Sequence, residues 1–560
     1  MGIEEDVYKI AAPAEIAGRT AWYTDLGSSG RQIYSRDAWG LGQYEDEYKT
    51  HSPSRYAILP QIRLEPIISR RAMELNPKGI RYGMEVIEAE NKDDHVVLRV
   101  GPSKETDAET KEILAQYVIA ADGGRSMTNK LDVAWEGEKD IFHMATAHVR
   151  TPLRDLHPDA RNFLTWFTHP EMGGSTKTGF LYQIGPWPWD ENPAEQQEWV
   201  FACALIATDP SSFDRETMIN RMRATLKIPD LAIDVISLSH WTVNAISAAK
   251  YRVGRVFLAG DAAHKIPPWG ALGMNTGVQD VQNLVWKLEL ALREPGNYQM
   301  LLDSYDTERR PVGSSVAASS LHNLLSHSLE MDKALGMSPT ASSAENADAI
   351  GPFFEPKHPD YPAKREAVRK AQKTLDTEFK APGTEVGWFY PSADAWGEAE
   401  RTRHAGQIRE DGSFDTEFYH PSTLPGHHLP HAYIEKEGRK VAVRDLIPLS
   451  KLLLLAGSPR WYDVGNKLVH VEMIGQGGWT DIDGQWQKQK GVSEDGAVLV
   501  RPDGIVAWRG EWHDSRLQDW PDILSRVLSE DEPLASRVRC ADYLTGFSTL
   551  VENQRTMPGR

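Results

Sequence analysis

Cysteine is almost absent from this 560-residue chain, which contains only Cys203 and Cys540. Neither cysteine belongs to a Cys-x-x-Cys pair, which argues against a disulfide framework and against a thiolate zinc site. We also expect no metal at His427, His428 and His431, because no further ligands follow at suitable spacing. The low cysteine content fits a reducing compartment, and we expect a cytoplasmic protein.

Long apolar runs and an excess of positive charge are also missing. No stretch approaches the ~18 uninterrupted apolar residues of a membrane span, and the acidic residues 1–6 do not resemble a signal peptide. The formal net charge of -18 argues against nucleic acid and anionic membrane surfaces, both of which attract Lys and Arg. With 40% hydrophobic and 25% charged residues, the composition is that of a globular protein.

The spacing of hydrophobic residues predicts the main helices and strands. Helices are expected at residues 62–75, with Pro66 in the first turn, at 278–292 and at 313–336. Strands are expected at 96–100, 117–121 and 255–259, with several more between 140 and 250. The turn Pro502-Asp503-Gly504 predicts a β-hairpin over 498–508. One face of the second helix carries an apolar stripe made of Val278, Val281, Leu284, Val285, Leu288 and Leu292.

The run RVFLAGDAAHKIPPWGALGMNTGVQDVQNLVWK, residues 255–287, is the most informative part of the sequence. A buried strand ends at Gly260-Asp261, where a carboxylate at the end of a parallel strand can accept hydrogen bonds from a sugar-alcohol hydroxyl. Asn275 and Thr276 are suitable N-cap residues for the next helix. The free N–H groups and partial positive charge of that helix start would stabilise an anionic ring such as a reduced flavin.

This run resembles the GD-x-x-H … P-x-x-G-x-G-x-N motif of class A flavoprotein monooxygenases. In that family the GD aspartate contacts the ribityl chain of FAD, and the helix N-terminus faces the pyrimidine end of the flavin. The resemblance therefore implies FAD contacts at Gly260, Asp261, Gly273, Met274 and Asn275.

Shorter segments resemble the same family. Asp122-Gly123, after the strand at 117–121, looks like the family's D-G motif, which is associated with FAD and with the reduced nicotinamide, NADPH or NADH. Gln61 stands where the family has an FAD-contacting Arg or Gln. The run YDTERRP at 305–311 also matches the family, and we interpret it as structural.

The C-terminal part resembles one branch of that family. Residues 425–432 and 498–509 look like the thioredoxin-like tail of phenol hydroxylase and 2,4-dichlorophenol 6-monooxygenase. Without a Cys-x-x-Cys pair, this tail cannot perform dithiol redox chemistry. The resemblance implies a structural role for the tail and a possible homodimer.

The sequence departs from the family at its start. Members begin with a strand, a G-x-G-x-x-G turn and a helix, which together hold the FAD pyrophosphate. No such glycine run occurs in this sequence. We therefore expect the first βαβ unit, at least ~30 residues, to be missing, either because the sequence is incomplete or because the protein is a degenerate relative that binds FAD weakly.

These features predict an α/β fold of the p-hydroxybenzoate hydroxylase type. It would combine a Rossmann-like FAD/NAD(P)-binding domain truncated at its N-terminus, a β-rich substrate domain and a thioredoxin-like C-terminal domain. The expected boundaries are 1–135 for the partial FAD-binding domain with part of the substrate region, 136–250 for the substrate domain, 251–336 for the rest of the FAD-binding domain, 337–385 for a linker with one charged helix at 363–379, and 386–560 for the C-terminal domain.

The resemblance implies an FAD-dependent monooxygenase. It would hydroxylate a phenolic or polycyclic aromatic substrate with NAD(P)H and O2 through a flavin C4a-hydroperoxide, in aromatic degradation or secondary metabolism. Because the flavin carries the chemistry, we assign no catalytic side chain. Tyr182, His240 and Trp241 are candidates for the substrate wall. Baeyer–Villiger-type oxygen insertion and a truncated, non-catalytic relative are the alternatives.

Overall fold

The computed structural model describes residues 2–104, 109–188, 191–205, 209–390, 404, 406–475, 477–513 and 515–528. The strands, numbered along the chain, are β1 Arg19–Tyr23, β2 Gln32–Asp37, β3 Met84–Asn91, β4 Val96–Pro102, β5 Lys111–Ala115, β6 Val118–Ala120, β7 Trp135–Arg150, β8 Leu164–Phe167, β9 Phe180–Gly185, β10 Glu198–Ala204, β11 Asp234–Ala248, β12 Arg252–Val253, β13 Val256–Leu258, β14 His264–Lys265, β15 Tyr433–Lys436, β16 Arg439–Ala442, β17 Leu452–Ala456, β18 Val469–Met473, β19 Thr480–Asp481, β20 Ala497–Val500 and β21 Val506–Gly510.

The helices are numbered in the same way. They are α1 Glu4–Ile10, α2 Ala14–Ala17, α3 Glu45–Lys49, α4 Gln61–Leu75, α5 Met127–Lys130, α6 Ser175–Thr178, α7 Arg215–Leu226, α8 Gly273–Arg293, α9 Gln299–Leu335, α10 Ser343–Ile350, α11 Tyr361–Thr374, α12 Asp376–Phe379, α13 Gln485–Gln489 and α14 Arg516–Val527. Among the described residues, every helix is too short or too polar to cross a bilayer.

An eight-stranded sheet forms the largest layer, in the order β14-β11-β7-β10-β9-β8-β1-β2. Its neighbours are antiparallel except β1 and β8, which run parallel with Trp22 beside Trp166. The predicted strands between 140 and 250 are therefore present. They are joined by β1 and β2 from the N-terminal part of the chain.

The two faces of this sheet pack against different partners, because side chains alternate along each strand. Tyr23 and Phe167 point to the face covered by α7. Their neighbours Trp22 and Trp166 point to the opposite face, which we call the aromatic face and which packs against α9, α11 and α12. Trp269 lies in the same cluster. The loop between β14 and α8, to which Trp269 belongs, is therefore held directly against the aromatic face.

A small sheet, in the order β12-β13-β6, carries the two sequence motifs. The predicted strand at 255–259 is confirmed as β13, whose residues Val256, Phe257 and Leu258 are fully buried. It runs parallel to β6, which is the outermost strand of this sheet among the described residues.

The apolar stripe on one face of helix α8 is buried only in part. Leu284 and Leu288 are buried, but the other members of the stripe are 41–54% exposed, namely Val278, Val281, Val285 and Leu292. A different side of α8, with Trp286 and Leu290, packs against the C-terminal domain. The helix therefore has two buried sides and a third apolar side that the described residues leave uncovered.

The region 337–385 also differs from the predicted linker. It contains α10, α11 and α12, and its apolar residues are buried against the aromatic face. The buried set is Ile350, Phe353, Val368, Ala371, Leu375 and Phe379. These residues are widely spaced in a polar stretch. The polar composition therefore indicated a linker, although tertiary packing holds this segment in place.

The C-terminal domain contains a sheet in the order β18-β17-β20-β21. Strands β17 and β18 are parallel, and the other pairs are antiparallel. The predicted hairpin around Pro502-Asp503-Gly504 is confirmed by the pairing of β20 with β21. Cys540 lies outside the described residues.

A buried ionic cluster joins α8 and α9 to this hairpin. The Glu308 carboxylate accepts hydrogen bonds from both terminal nitrogens of Arg501, at 2.6 and 2.8 Å, and from Lys287 Nζ at 2.7 Å. Asp503 pairs with Arg501 from the same turn at 2.5 Å. Burial lowers the pKa of Lys287 to about 8, and attraction to Glu308 opposes this shift. The two acids and two bases balance in charge, which makes their burial tolerable.

We predict that Glu308→Gln destabilises the protein by about 3–5 kcal/mol, because Lys287 and Arg501 would be left buried without their shared carboxylate. Urea unfolding followed by tryptophan fluorescence measures the change. Glu112→Gln, which neutralises an exposed carboxylate on β5, should change the stability by less than about 0.5 kcal/mol. Equal stability of the two variants would contradict the prediction.

Candidate cofactor site

The turns after β6 and β13 lie side by side, because the carboxyl ends of neighbouring parallel strands meet at one edge of a sheet. Gly124, with a φ of +64°, approaches the Asp261 backbone so closely that a Cβ atom would collide with the Asp261 carbonyl oxygen. Lys265 Nζ donates to the Gly124 carbonyl at 3.2 Å. The structure thus brings the D-G and G-D motifs together at one site.

The Asp122 carboxylate holds the first of these turns. It accepts backbone N–H hydrogen bonds from Ser126 at 2.8 Å, Met127 at 2.9 Å and Gly124 at 3.2 Å. Burial pushes the pKa of Asp122 upward, but the bonds from Met127 and Ser126 outweigh it and keep that pKa below its ordinary value. Gly123 follows with a φ of +73°, which a side chain would strain. Because Asp122 is occupied by the backbone, its direct effect is to shape the turn.

Asp261 has a different environment. Its side chain accepts no hydrogen bond from the described residues. Burial raises the pKa of Asp261, and His264 and Lys265 oppose this shift. The carboxyl is therefore available as an acceptor for a ligand hydroxyl.

The N-terminus of α8 lies beside the second turn. A Cβ atom on Gly277 would be 3.1 Å from Gly260 Cα, a tight contact that would require the helix and the turn to move apart by a few tenths of an ångström. The first hydrogen bond of the helix is donated by Thr276 N to the Leu272 carbonyl. The N–H groups of the three residues before it, Gly273, Met274 and Asn275, are therefore not used by the helix.

The prediction that Asn275 and Thr276 cap this helix is wrong. The helix begins at Gly273, with Leu272 in the N-cap position and no side-chain cap. Asn275 Nδ2 instead donates to the Ala271 carbonyl at 3.2 Å, and Thr276 Oγ1 donates to that of Leu272 at 2.8 Å. The helix starts earlier because the preceding loop turns directly into it, with Ala271 N bonded to the Pro268 carbonyl.

A fully buried carboxylate, Asp280, fixes the helix to the turn that begins at Gly260 and to α9. Asp280 Oδ2 accepts from His264 Nε2 at 2.8 Å and from Gly260 N at 3.1 Å, and Oδ1 accepts from Arg309 Nε at 2.8 Å. Arg309 also donates to the Thr276 carbonyl at 3.2 Å. Burial would raise the pKa of Asp280, but His264 and Arg309 hold it below its ordinary value.

The sequence analysis did not identify this role of α8. The available signal was a row of polar residues at helical spacing within an otherwise apolar helix. Its members are Thr276, Asp280, Asn283 and Lys287, all of which are buried. The YDTERRP run supplies their partners, since Glu308 bonds to Asn283 and Lys287 and Arg309 bonds to Asp280.

Gln61 is the first residue of α4 and is exposed. Its amide donates to Glu65 Oε1 at 2.5 Å. The hydrogen bonds of the described residues do not connect it to Asp261 or to the α8 loop, so its predicted cofactor contact stays a prediction.

Two cavities adjoin each other through Tyr56, Ala57 and Glu385, and the smaller of them lies next to the start of α8. The smaller, of about 290 Å³, is lined by Asn275, Thr276, Gln279 and residues of two other segments. The larger, of about 660 Å³, lies against residues 8–14, 40–57 and 382–386.

The three candidate wall residues do not share one face of the sheet. Tyr182 and Trp241 belong to the aromatic face, and burial raises the pKa of Tyr182 to about 12. His240 points the other way and bonds to the Phe213 carbonyl at 2.8 Å. His240 is therefore excluded from the wall that Trp269 faces, because neighbouring residues of a strand point to opposite sides.

Among the described residues, no group of His, Cys, Asp or Glu could hold a metal ion. His427 Nε2 lies 2.7 Å from His404 Nδ1, and the two rings stack on Phe389. These histidines are part of the packing of the C-terminal domain.

The donor set fits one half of FAD better than the other. A free carboxyl at Asp261 suits a ribityl hydroxyl, and the open N–H groups of Gly273, Met274 and Asn275 suit the carbonyl edge of a flavin. In the part of the chain that the structure describes, no glycine-rich turn offers a comparable cradle to the pyrophosphate.

Comparison with known proteins gives a consistent result. Residues 1–320 match a family described as "FAD binding domain", and residues 422–530 match "Aromatic-ring hydroxylase, C-terminal". The chain is 29% identical to phenol 2-monooxygenase of Pseudomonas sp. (strain EST1001), covering 94% of this chain and 83% of that protein. It is 28% identical to 2,4-dichlorophenol 6-monooxygenase of Delftia acidovorans, covering 94% and 89%.

A solved structure is similar over nearly the whole chain. The flavin-dependent monooxygenase PieE, crystallised with FAD and substrate, superposes with a TM-score of 0.83 at 27% identity. The similarity covers 95% of this chain and 90% of that one.

We predict that Gly124→Ala destabilises the protein by about 2–4 kcal/mol, because a Cβ atom adds a collision with the Asp261 backbone to the strain of a positive φ. Gly83→Ala is the matched control. Its φ of +75° is similar, but no atom lies within 4 Å of the added carbon, so it should cost only about 1 kcal/mol. Thermal unfolding by circular dichroism compares them, and equal losses would show that the two turns do not touch.

Proposed function

Because this chain belongs to the FAD-binding-domain family of class A flavin monooxygenases, we propose that it hydroxylates an aromatic substrate with FAD, NAD(P)H and O2. The observation that carries the proposal is the meeting of three elements at one site. They are the turn of Asp122-Gly123, the turn of Gly260-Asp261 and the uncapped start of α8. Carboxyl ends of parallel strands next to a helix N-terminus form a common nucleotide-binding arrangement.

The proposed contacts follow from the chemistry of each group. Asp261 accepts a hydrogen bond from a ribityl hydroxyl. The N–H groups of Gly273, Met274 and Asn275 donate to the pyrimidine edge of the flavin, where the helix dipole favours negative charge.

Asp122 and Gly123 shape the adjoining turn, where we propose contacts with FAD or the nicotinamide. Gln61 is proposed as a further FAD contact from the start of α4. The expected absence of the first βαβ unit, whose glycine-rich turn would hold the pyrophosphate, stays a prediction.

When bound, FAD reduced by NAD(P)H supplies the activated oxygen that is transferred to the ring. The side chains of this protein bind and orient the cofactor and the substrate, and they exclude water from the site. Asp280 fixes the position of Gly260 relative to α8, so that Asp261 and the free N–H groups keep a fixed geometry. Trp269 ties the loop to the aromatic face, which keeps water away from the reacting atoms.

The substrate is proposed to be a phenol or a larger polycyclic aromatic compound. Two relatives, phenol 2-monooxygenase and 2,4-dichlorophenol 6-monooxygenase, carry simple phenols in their names. We further propose that the C-terminal domain is thioredoxin-like, since two parallel strands, β17 and β18, are extended by an antiparallel hairpin on the β17 side. A homodimer through this domain is part of the same proposal.

The direct test incubates the chain with FAD, NADPH, 2,4-dichlorophenol or 1-naphthol, and isotope-labelled O2. Mass spectrometry should find one labelled oxygen atom in the product. Oxidation of NADPH without a labelled product, for both substrates, would contradict aromatic hydroxylation by this chain on these compounds.

We predict that Asp261→Ala weakens FAD binding about tenfold, because it removes a charged hydrogen-bond acceptor from the ribityl contact. Titration of flavin fluorescence measures the dissociation constant. Asp230→Ala, at an exposed position after α7, should leave the constant unchanged. Equal affinities in the two variants would remove Asp261 from the proposed site.

A further inference from the structure

One carboxyl group lies where the two cavities meet. Glu385, Tyr56 and Ala57 line both the cavity of about 660 Å³ and the cavity of about 290 Å³ beside α8. The smaller cavity contains the start of α8, at Asn275 and Thr276. A ligand in the larger cavity would therefore reach the proposed flavin position by passing Glu385.

The two oxygens of Glu385 have unequal surroundings. Oε1 accepts a hydrogen bond from the Tyr48 hydroxyl at 2.9 Å and one from Ala381 N at 3.3 Å. Oε2 accepts none from the described residues, and the side chain is partly exposed to the cavity. Burial raises the pKa of Tyr48, so Tyr48 stays protonated and acts only as a donor to the carboxylate. Glu385 is thus anchored at one oxygen and open at the other.

The neighbouring charges are largely paired with one another. Lys380 Nζ bonds to Glu47 Oε2 at 2.8 Å, and Lys49 Nζ bonds to Glu45 Oε1 at 3.0 Å. Among the described residues, Glu385 has no basic partner within 4 Å. The other titratable or charged groups that face it or share its cavity wall are Tyr8, Lys9, Glu45, Glu47, Lys49, His51, Arg55, Tyr56 and Lys380.

The ionisation of this carboxyl is also distinctive. Burial raises the pKa of Glu385 to about 7, with a further contribution from Glu47, while Tyr48 and Lys380 oppose the shift. Burial lowers the pKa of His51, so His51 is neutral at any pH above the ordinary pKa of histidine. Between about pH 6 and pH 8, Glu385 is therefore the group in this wall whose charge changes most.

We propose that Glu385, anchored by Tyr48, is a substrate-binding carboxylate that accepts a hydrogen bond from a hydroxyl group of a polycyclic aromatic substrate in the larger cavity. This inference rests on the proposed function. The hydroxyl donates to Oε2, while Oε1 stays bonded to Tyr48. A cavity of about 660 Å³ lies within the ~300–1,000 Å³ that bury drug-sized ligands, which favours fused rings over a single phenol.

The test measures binding and not turnover, so it is independent of oxygen transfer. Isothermal titration of the full chain at pH about 8 compares 1-naphthol with 1-methoxynaphthalene, which lacks the donor hydrogen. Glu385→Gln should weaken the binding of 1-naphthol about ten- to hundredfold, because a charged acceptor is lost. The binding of 1-methoxynaphthalene should not change. Glu216→Gln, at an exposed position on α7, should affect neither ligand.

The wild-type chain provides a second measurement that does not depend on a variant folding. The affinity for 1-naphthol should fall as the pH is lowered from about 8 to about 6, since the carboxylate becomes protonated. The affinity for 1-methoxynaphthalene should stay constant. Tyr48→Phe should move the midpoint of this change to higher pH, because the Tyr48 hydrogen bond stabilises the charged form of Glu385.

Three results would overturn the inference. They are no binding of 1-naphthol to the wild-type chain, an affinity for 1-naphthol that does not depend on pH, and an equal loss of affinity for 1-naphthol and 1-methoxynaphthalene in Glu385→Gln. If the chain binds 1-naphthol as expected but transfers no labelled oxygen, the proposed function fails on this compound, while the hydrogen bond between Glu385 and an aromatic hydroxyl is upheld.

Discussion

Helix α9 carries two adjacent charged residues, Glu308 and Arg309, and the arrangement of the rest of the protein depends on both being paired. Arg309 bonds to Asp280, which in turn holds Gly260 and His264 beside the start of α8. Glu308 bonds to Arg501 in the C-terminal hairpin. One helical turn therefore links the candidate cofactor site to a distant domain through buried, charge-assisted hydrogen bonds, which are strong and directional.

The aromatic face provides the second constraint. It is made of side chains that alternate with those of the α7-facing core, so the same strands build both a hydrophobic core and a wall toward the loop that precedes α8. Trp269 inserts into that wall next to Trp166. The helices α10 to α12 cover the rest of it, which makes this polar segment a structural part of the layer packed on the eight-stranded sheet.

Local sequence patterns predicted the elements that carry motifs. The strand before Gly260, the hairpin around Asp503 and most of α4 and α8 were predictable, because turn residues and hydrophobic spacing act over a few positions. The helix predicted at 313–336 is only the C-terminal part of α9, which begins at Gln299. The patterns were less informative where a residue has a distant partner. Asp280 and Lys287 resemble ordinary surface positions of an amphipathic helix until Arg309 and Glu308 are brought against them. Val278 looks like a core residue, yet it is exposed.

By itself, the sequence determined the α/β class, the resemblance to flavin monooxygenases and the residues of the G-D loop. These depend on glycines, prolines and hydrophobic spacing, whose effect is local. Only the tertiary structure decided that Gly124 touches Asp261, that His240 faces away from the wall, and that Glu385 stands between two cavities. Each of these contacts joins segments far apart in the chain, and their closeness follows from strand pairing and helix packing, which no short stretch of sequence encodes.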